Sequence, residues 1–108
     1  MNKMAKFLDL KSTNFANTHG LMNDKAYSCS YDVALLTFYS MKHPILREIV
    51  AKTNFKCKIF NRTFSHQKEY SWDNTNKLLR VEGFIGVKTG VTPAAGPCLS
   101  SFFKVNSS

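Results

Sequence analysis

Residues 86–96 read Gly-Val-Lys-Thr-Gly-Val-Thr-Pro-Ala-Ala-Gly and are the most informative stretch of this chain. The apolar, β-prone run 84–87 predicts a strand that ends at Lys88, Thr89 and Gly90. This order places a cation, a hydroxyl donor and backbone without a Cβ side by side. Such a strand can pair with an extended peptide while its ammonium and hydroxyl bind the peptide's terminal carboxylate. For the bare triplet, an ordinary strand-to-turn transition is the alternative interpretation.

The surroundings of the triplet favour the functional interpretation. Residues 86–96 meet every fixed position of the pattern G-[IV]-K-T-G-x-T-x-x-A-G, and further motifs follow the same order along the chain. These are Met1-Asn2, Ala5, Leu8 and Leu10; Thr13-Asn14-Phe15, Asn17 and His19-Gly20-Leu21; Tyr27-Ser28, Asp32 and Ala34; Trp72, Asn74-Thr75-Asn76 and Leu78-Leu79; and Cys98-Leu99. Together they resemble the D-alanyl-D-alanine carboxypeptidases of peptidase family S11, the low-molecular-weight penicillin-binding proteins.

The resemblance implies an α+β fold of helices and antiparallel strands, a fragment of the β-lactamase/penicillin-binding-protein (DD-peptidase) fold. Residues 1–105 would be the C-terminal part of a catalytic domain, and 106–108 a tail. The full-length enzyme would hydrolyse the terminal D-alanine of peptidoglycan stem peptides through an acyl-enzyme. It would bind β-lactams, need no cofactor or metal, and work outside the cytoplasm, secreted, periplasmic or at the cell surface. Membrane association is left open by the sequence.

The same resemblance assigns roles to four consecutive residues. Lys88 would be catalytic, because its positive charge helps to organise proton transfer. Thr89 would hydrogen-bond the terminal carboxylate of the peptide, and Gly90 would permit close approach of the backbone. The backbone N–H of Val91 would be one of two oxyanion-hole donors.

The serine nucleophile is the missing part. In the family it lies in an S-x-x-K motif, followed by S-x-N, upstream of the position of Met1. The chain has two S-x-x-K matches, but Ser65 with Lys68 falls in a predicted hairpin, and Ser101 with Lys104 falls in a predicted strand, where residues three apart point to opposite faces. We therefore expect an inactive fragment that begins at a truncation or gene-model error. The alternative is a non-catalytic relic that keeps the strand as a peptide- or glycan-binding surface.

Composition narrows the classes of partner that the chain could bind. The formal net charge of +8 invites a nucleic-acid partner, but the lysines and arginines are scattered and no nucleic-acid signature occurs. Solvated surface charge is favoured, and an anionic wall polymer or membrane surface would suit it equally well. Three cysteines without C-x-x-C, and histidines isolated from them, predict neither a disulfide framework nor a zinc site. His19 is interpreted as a structural loop residue.

Periodicity and turn residues give a coarse map of the elements. Two expectations at helix ends come from the resemblance. The family usually has glycine near Asp9, which implies a left-handed turn there, slightly less favourable with aspartate. It usually has Ser or Thr at the position of Cys29, so the cap of the next helix is expected to be weak unless Ser28 or Ser30 replaces it, because thiol sulfur accepts hydrogen bonds poorly. Trp72 and residues 74–76 are expected to brace the Lys88 strand rather than touch substrate. Three helices are predicted: 1–10; 31–42, which is expected to be buried on most sides; and one that begins at Pro44 and has a core face. The predicted strands are 55–59, 63–70, 84–88 and 98–105. The predicted loops are 11–26 and 92–97.

Overall fold

The computed structural model describes residues 1–105, so the predicted tail at 106–108 lies outside the described residues. Helices precede two separate antiparallel hairpins, which confirms the α+β prediction. The elements are α1 (Asn2–Phe7), α2 (Ser30–Ser40), α3 (Pro44–Ala51), β1 (Asn54–Phe60), β2 (Gln67–Asp73), a 3₁₀ turn (Lys77–Arg80), β3 (Phe84–Thr92) and β4 (Gly96–Phe103). β1 pairs with β2, and β3 pairs with β4.

Asp32 joins the start of α2 to the loop that precedes it. Its carboxylate is buried and accepts hydrogen bonds from the Ser12 N–H at 2.8 Å and the Thr13 hydroxyl at 2.7 Å. The Cys29 sulfur accepts the Asp32 N–H at 3.5 Å, so the predicted weak cap is present. Ser28 does not replace it, because its hydroxyl lies 2.9 Å from that of Thr13. One carboxylate therefore fixes where the long loop meets the helix.

Two contacts hold the helices against the β3–β4 sheet. Gly86 is buried with φ of +127°, and a Cβ at this position would come within 2.8 Å of Val50 Cγ2. Only glycine combines this backbone conformation with such a close approach of α3. From α2, the Thr37 hydroxyl lies 2.8 Å from the Ser100 hydroxyl of β4. The helices thereby support the strand that carries Lys88.

The β1–β2 hairpin is held by a ladder of aromatic rings. The Trp72 ring stacks with Phe55 at 6.2 Å and with Tyr70 at 5.5 Å between ring centroids. The Lys52 ammonium lies 5.5 Å from the Phe55 ring centre, and the Lys68 ammonium lies 5.0 Å from that of Tyr70. Each aromatic pair contributes about 0.5–1.5 kcal/mol beyond its area. This ladder stabilises a hairpin that would otherwise be marginal.

The second strand of this hairpin begins later than the sequence predicts. The strand predicted at 63–70 is found at Gln67–Asp73. Residues 61–66 form the turn instead, because the Asn61 N–H donates to the His66 carbonyl at 3.1 Å and the Phe64 N–H donates to the Asn61 carbonyl at 3.0 Å. Asp9, with φ of +57°, adopts the predicted left-handed conformation after α1.

Apolar side chains are far more exposed than in a compact domain. The chain exposes 9171 Å², whereas a compact monomer of this size exposes about 6,100 Å². Its radius of gyration is 17.0 Å, against about 13 Å for a compact chain of 100 residues. Among the described residues, the buried apolar side chains are Ala5, Leu10 and Met41.

The prediction that α2 is buried on most sides is wrong. Phe38 and Tyr39 are 51% and 40% exposed, because α2 packs on β4 along one side only. The predicted core face of α3 is half covered. Val50 meets Gly86, whereas Ile45 and Ile49 remain 74% and 57% exposed.

We expect the purified 108-residue chain to bind an apolar fluorescent dye strongly and to melt without a cooperative thermal transition. The physical reason is the large exposed apolar area, which leaves little packing to lose on heating. Circular dichroism during heating and dye fluorescence measure the two effects. A single sharp transition with weak dye binding would contradict this prediction.

Candidate active-site wall

The Lys-Thr-Gly triplet lies inside a strand and not at its end. β3 continues to Thr92, and its partner β4 begins at Gly96, so the predicted end of the strand at Lys88 is wrong. Lys88 pairs with Ser100, Thr89 with Leu99, and Gly90 with Cys98. The turn between the strands is short and begins with a hydrogen bond from the Ala95 N–H to the Thr92 hydroxyl at 3.1 Å. All four predicted site residues therefore lie within one strand, after a shift of its pairing register between Phe84 and Val87.

Strand geometry sends the side chains of Lys88 and Thr89 to opposite faces of the sheet. One location that both groups can reach is the edge of β3 away from β4. Among residues 1–105, no other strand pairs with that edge. An extended peptide could add there through backbone hydrogen bonds, with the lysine on one side and the threonine on the other.

Lys88 and Gly90 form the open side of this edge. Lys88 is exposed, and its ammonium donates a hydrogen bond to the Thr89 carbonyl. A Cβ placed on Gly90 would meet only the Lys88 ammonium, at 3.7 Å. The glycine is therefore not required by packing, and its effect is to leave the backbone beside the lysine accessible.

Thr89 is half-buried, and its hydroxyl is already engaged. Its oxygen lies 2.6 Å from the hydroxyl oxygen of Thr75. One hydroxyl donates its hydrogen to the other oxygen in such a bond, so the pair keeps one further O–H donor. When Thr75 is the donor within the pair, the Thr89 O–H is the one left free.

Residues 74–76 hold Thr75 in place. The Asn74 amide donates to the Lys52 carbonyl at 2.9 Å, and the buried Asn76 accepts the Leu78 N–H at 3.1 Å, which caps the 3₁₀ turn. The expected brace of β3 is thus made by Thr75, while both asparagines fix the segment around it. Trp72 stacks within the β1–β2 hairpin instead. Thr75 belongs to a motif that the sequence shows. Its hydrogen bond to Thr89 joins residues 14 positions apart, so no local sequence pattern predicts that bond.

A loop lines the cleft on the other side of Gly90. Residues 20–24 face residues 90–92 across this cleft. The loop is fixed internally, because Asn17 accepts the Gly20 N–H at 2.9 Å and donates to the Leu21 carbonyl at 2.9 Å. His19 Nδ1 accepts the Leu21 N–H at 3.1 Å, which supports its interpretation as a structural loop residue.

Neither S-x-x-K match forms a nucleophile and base pair. The Ser65 hydroxyl bonds with the Asn61 amide at 3.0 Å and lies 2.8 Å from the Thr63 hydroxyl, while the Lys68 ammonium lies over Tyr70. Ser101 lies in β4, and Lys104 follows the end of that strand. The Val91 side chain is 75% exposed, so it adds little packing to this part of β3.

Solved structures with the same arrangement define the class of protein. The Streptomyces K15 DD-transpeptidase superposes with a TM-score of 0.89 and 32% identity over 97% of this chain and 40% of that chain. A penicillin-binding protein homolog from Mycobacterium tuberculosis gives a TM-score of 0.72 and 27% identity over 89% of this chain and 35% of that chain. The fold is that of the penicillin-binding DD-peptidases.

Sequence comparison gives the family. The family model for D-alanyl-D-alanine carboxypeptidase, peptidase S11, matches residues 1–107. D-alanyl-D-alanine carboxypeptidase DacF of Bacillus subtilis (strain 168) is 36% identical over 96% of this chain and 26% of its own length. The D-alanyl-D-alanine carboxypeptidase of Streptomyces sp. (strain K15) is 35% identical over 92% of this chain and 34% of its own length. The chain belongs to the peptidase S11 family and spans about a quarter to a third of these relatives.

Proposed function

We propose that this chain supplies one side of the active site of a serine-type D-Ala-D-Ala carboxypeptidase. We call this side, formed by Lys88, Thr89 and Gly90 of β3, the Lys-Thr-Gly wall. The observation that carries the proposal is the edge of β3 that no other strand within residues 1–105 pairs with, where Lys88 and Gly90 are exposed beside the hydroxyl pair of Thr89 and Thr75. Membership of the S11 family supports this use of the edge. Residues 1–105 would form part of the catalytic domain.

The geometry suggests how the wall would act on a peptide that ends in D-alanine. The peptide would lie along the edge of β3, and its terminal carboxylate would accept a hydrogen bond from the Thr89 hydroxyl. The Lys88 ammonium would add positive charge to the site, and such charge-assisted contacts are stronger than neutral ones. Gly90 would let the peptide backbone approach the strand closely.

The chemical step would need a serine from outside these 108 residues. That hydroxyl would attack the carbonyl of the scissile bond and release D-alanine, and water would then hydrolyse the acyl-enzyme. The Val91 N–H would donate to the developing oxyanion, a contact whose loss typically costs about 2.7–4 kcal/mol. Lys88 would help to move the proton between the serine and the leaving amine.

Family membership supports a class of ligand and a compartment for the proposed function. Stem peptides and β-lactams are the ligands that a penicillin-binding D-Ala-D-Ala peptidase would take. Cell-wall chemistry supports an extracytoplasmic site of action. Within residues 1–105, no helix is both long and apolar enough to cross a membrane.

Labelled penicillin tests the proposal in two forms of the protein. The 108-residue chain alone is expected to form no covalent adduct, because neither S-x-x-K match is assembled as a nucleophile. A chimera in which residues 1–105 replace the matching segment of the Streptomyces K15 DD-transpeptidase is expected to form one, since the two folds superpose closely. Gel fluorescence of the labelled protein measures both.

The outcomes separate the two candidate functions. An adduct on the isolated chain would show that the chain carries its own nucleophile, contrary to the proposal. A chimera that folds, as judged by its circular dichroism and melting curve, but stays unlabelled would favour the alternative, a non-catalytic peptide- or glycan-binding relic. Labelling of the folded chimera would support a competent wall.

A further inference from the structure

The tip of the β1–β2 hairpin presents two aromatic rings to solvent. Phe64 is 78% exposed and Phe60 is 47% exposed, and their ring centroids are 5.8 Å apart. Phe64 has φ of +54°, a left-handed conformation that bulky side chains rarely adopt. The backbone thus holds an apolar ring outward at a position where a small polar residue would be less strained.

Hydrogen bonds within the tip fix this presentation. The Asn61 amide donates to the Ser65 hydroxyl at 3.0 Å, and its carbonyl oxygen accepts the His66 N–H at 3.3 Å. The Asn61 backbone also bonds to both Phe64 and His66. The rings are therefore presented on an ordered turn. This order lowers the conformational entropy that the turn loses when the rings enter an apolar environment.

Basic side chains lie along the hairpin and in its turn, where Arg62 is found, and Lys58 lies opposite Glu69 in the strand pairing. The hairpin 54–73 carries four basic side chains and the acidic residues Glu69 and Asp73. The ion pairs found among the described residues lie elsewhere, at Lys11 with Asp9 and at Lys52 with Glu48. The basic side chains of the hairpin are Lys56, Lys58, Arg62 and Lys68.

We propose that this tip, Phe60 and Phe64 with their basic neighbours, docks on an anionic lipid bilayer. A surface of anionic headgroups attracts lysine and arginine, and apolar phenylalanine rings gain from burial at the boundary between headgroups and acyl chains. A soluble polyanion would satisfy the cations but would leave both rings in water. The bilayer satisfies both features, so the charge and the apolar tip point to the same partner.

The length of the hairpin suits this role. β1 has seven residues, which span about 23 Å at the usual rise of a strand. The tip can therefore contact a membrane while the base of the hairpin stays at the end of α3, where the Asn74 side-chain amide donates a hydrogen bond to the Lys52 carbonyl. The proposal concerns attachment to a surface and does not depend on the activity proposed above.

Single-tryptophan reporters test the insertion directly in the 108-residue chain. Trp72 is the one tryptophan, so the double variant Phe64→Trp with Trp72→Phe places the fluorophore at the tip. Phe7→Trp with Trp72→Phe is the matched control, because Phe7 is 82% exposed on α1. On adding phosphatidylglycerol vesicles, the tip reporter is expected to shift further to the blue than the control and to be quenched more strongly by brominated acyl chains.

A pair of charge variants with equal net charge tests the electrostatic part. Neutralising Lys56, Lys58 and Arg62 to glutamine is expected to weaken binding to anionic vesicles about 100-fold, at roughly fivefold for each cation. Neutralising Lys3, Lys6 and Lys25, also exposed, is expected to change it by less than about threefold. Co-sedimentation with vesicles measures both variants at low and at physiological salt.

The results that would overturn the proposal are specific. Equal responses of the two tryptophan reporters would indicate adsorption through exposed apolar surface in general. Equal binding to phosphatidylcholine vesicles would remove the role of the cations. Retention by a soluble phosphate polymer together with no insertion at position 64 would identify an anionic polymer as the partner instead of a bilayer.

Discussion

Lys88→Ala in the chimera is expected to slow acylation by labelled penicillin about 10²- to 10⁴-fold, the range for loss of a group that assists proton transfer. The side chain is exposed on β3, so its removal takes away a charge and a proton-handling group without opening a cavity. The second-order rate constant of acylation, followed by gel fluorescence, measures the effect. The melting temperature of the chimera is expected to stay the same.

Two further variants control this experiment. Lys104→Ala removes another exposed lysine, just beyond the end of β4, and is expected to leave the rate within about twofold. Lys88→Arg keeps the positive charge but replaces a compact ammonium by a planar guanidinium that gives up its proton with difficulty. We expect a rate between those of the parent and Lys88→Ala. A parent-like rate for Lys88→Ala would remove Lys88 from the catalytic machinery.

The sequence was most informative where local pattern and backbone geometry agree. The alternation of Phe55, Cys57 and Ile59 predicted β1, and the structure has a strand over Asn54–Phe60. Asp9 was expected to be left-handed at a helix end and has φ of +57°. The strand depends on near neighbours in the chain, so a short window of sequence sufficed, whereas the expectation at Asp9 came from the glycine that the family usually has there.

The end of β3 could not be read in this way. The apolar, β-prone run ends at Val87, so the predicted strand stopped at Lys88. In the structure, pairing with β4 extends the strand to Thr92, because the backbone hydrogen bonds to the partner outweigh the weak local preference of glycine. The same pairing places Val91 inside the strand, one residue before its end.

Contacts between residues far apart in the chain could also not be predicted from local sequence patterns. Asp32 binds residues about 20 positions earlier, and Thr75 binds Thr89 14 positions later. The apolar residues of α2 predicted a buried helix, but a sequence does not state which surfaces will be available to cover it. Phe38 and Tyr39 are therefore apolar and yet exposed.

Thr89→Val in the chimera is expected to slow acylation by a substrate with a terminal carboxylate about 10- to 150-fold. This range corresponds to about 1.5–3 kcal/mol for a hydrogen bond to a charged group. An analogue of the same substrate with a terminal amide is expected to lose much less. Comparing kcat/KM for the two substrates isolates the contact with the carboxylate, and Thr89→Ser, which keeps the hydroxyl, is the conservative control.

The partner hydroxyl makes this a double-mutant cycle. Thr75→Val leaves the Thr89 hydroxyl in place but frees it to rotate, so a smaller loss of about three- to tenfold is expected, again larger for the carboxylate substrate. Because the two oxygens are 2.6 Å apart, the double variant is expected to lose less than the product of the single effects, with a coupling of about 0.5–1.4 kcal/mol, no larger than the effect of Thr75→Val itself. If Thr89→Val instead impaired the carboxylate and amide substrates equally, the hydroxyl pair would serve to hold β3 against residues 74–76, and the carboxylate would be bound by another group.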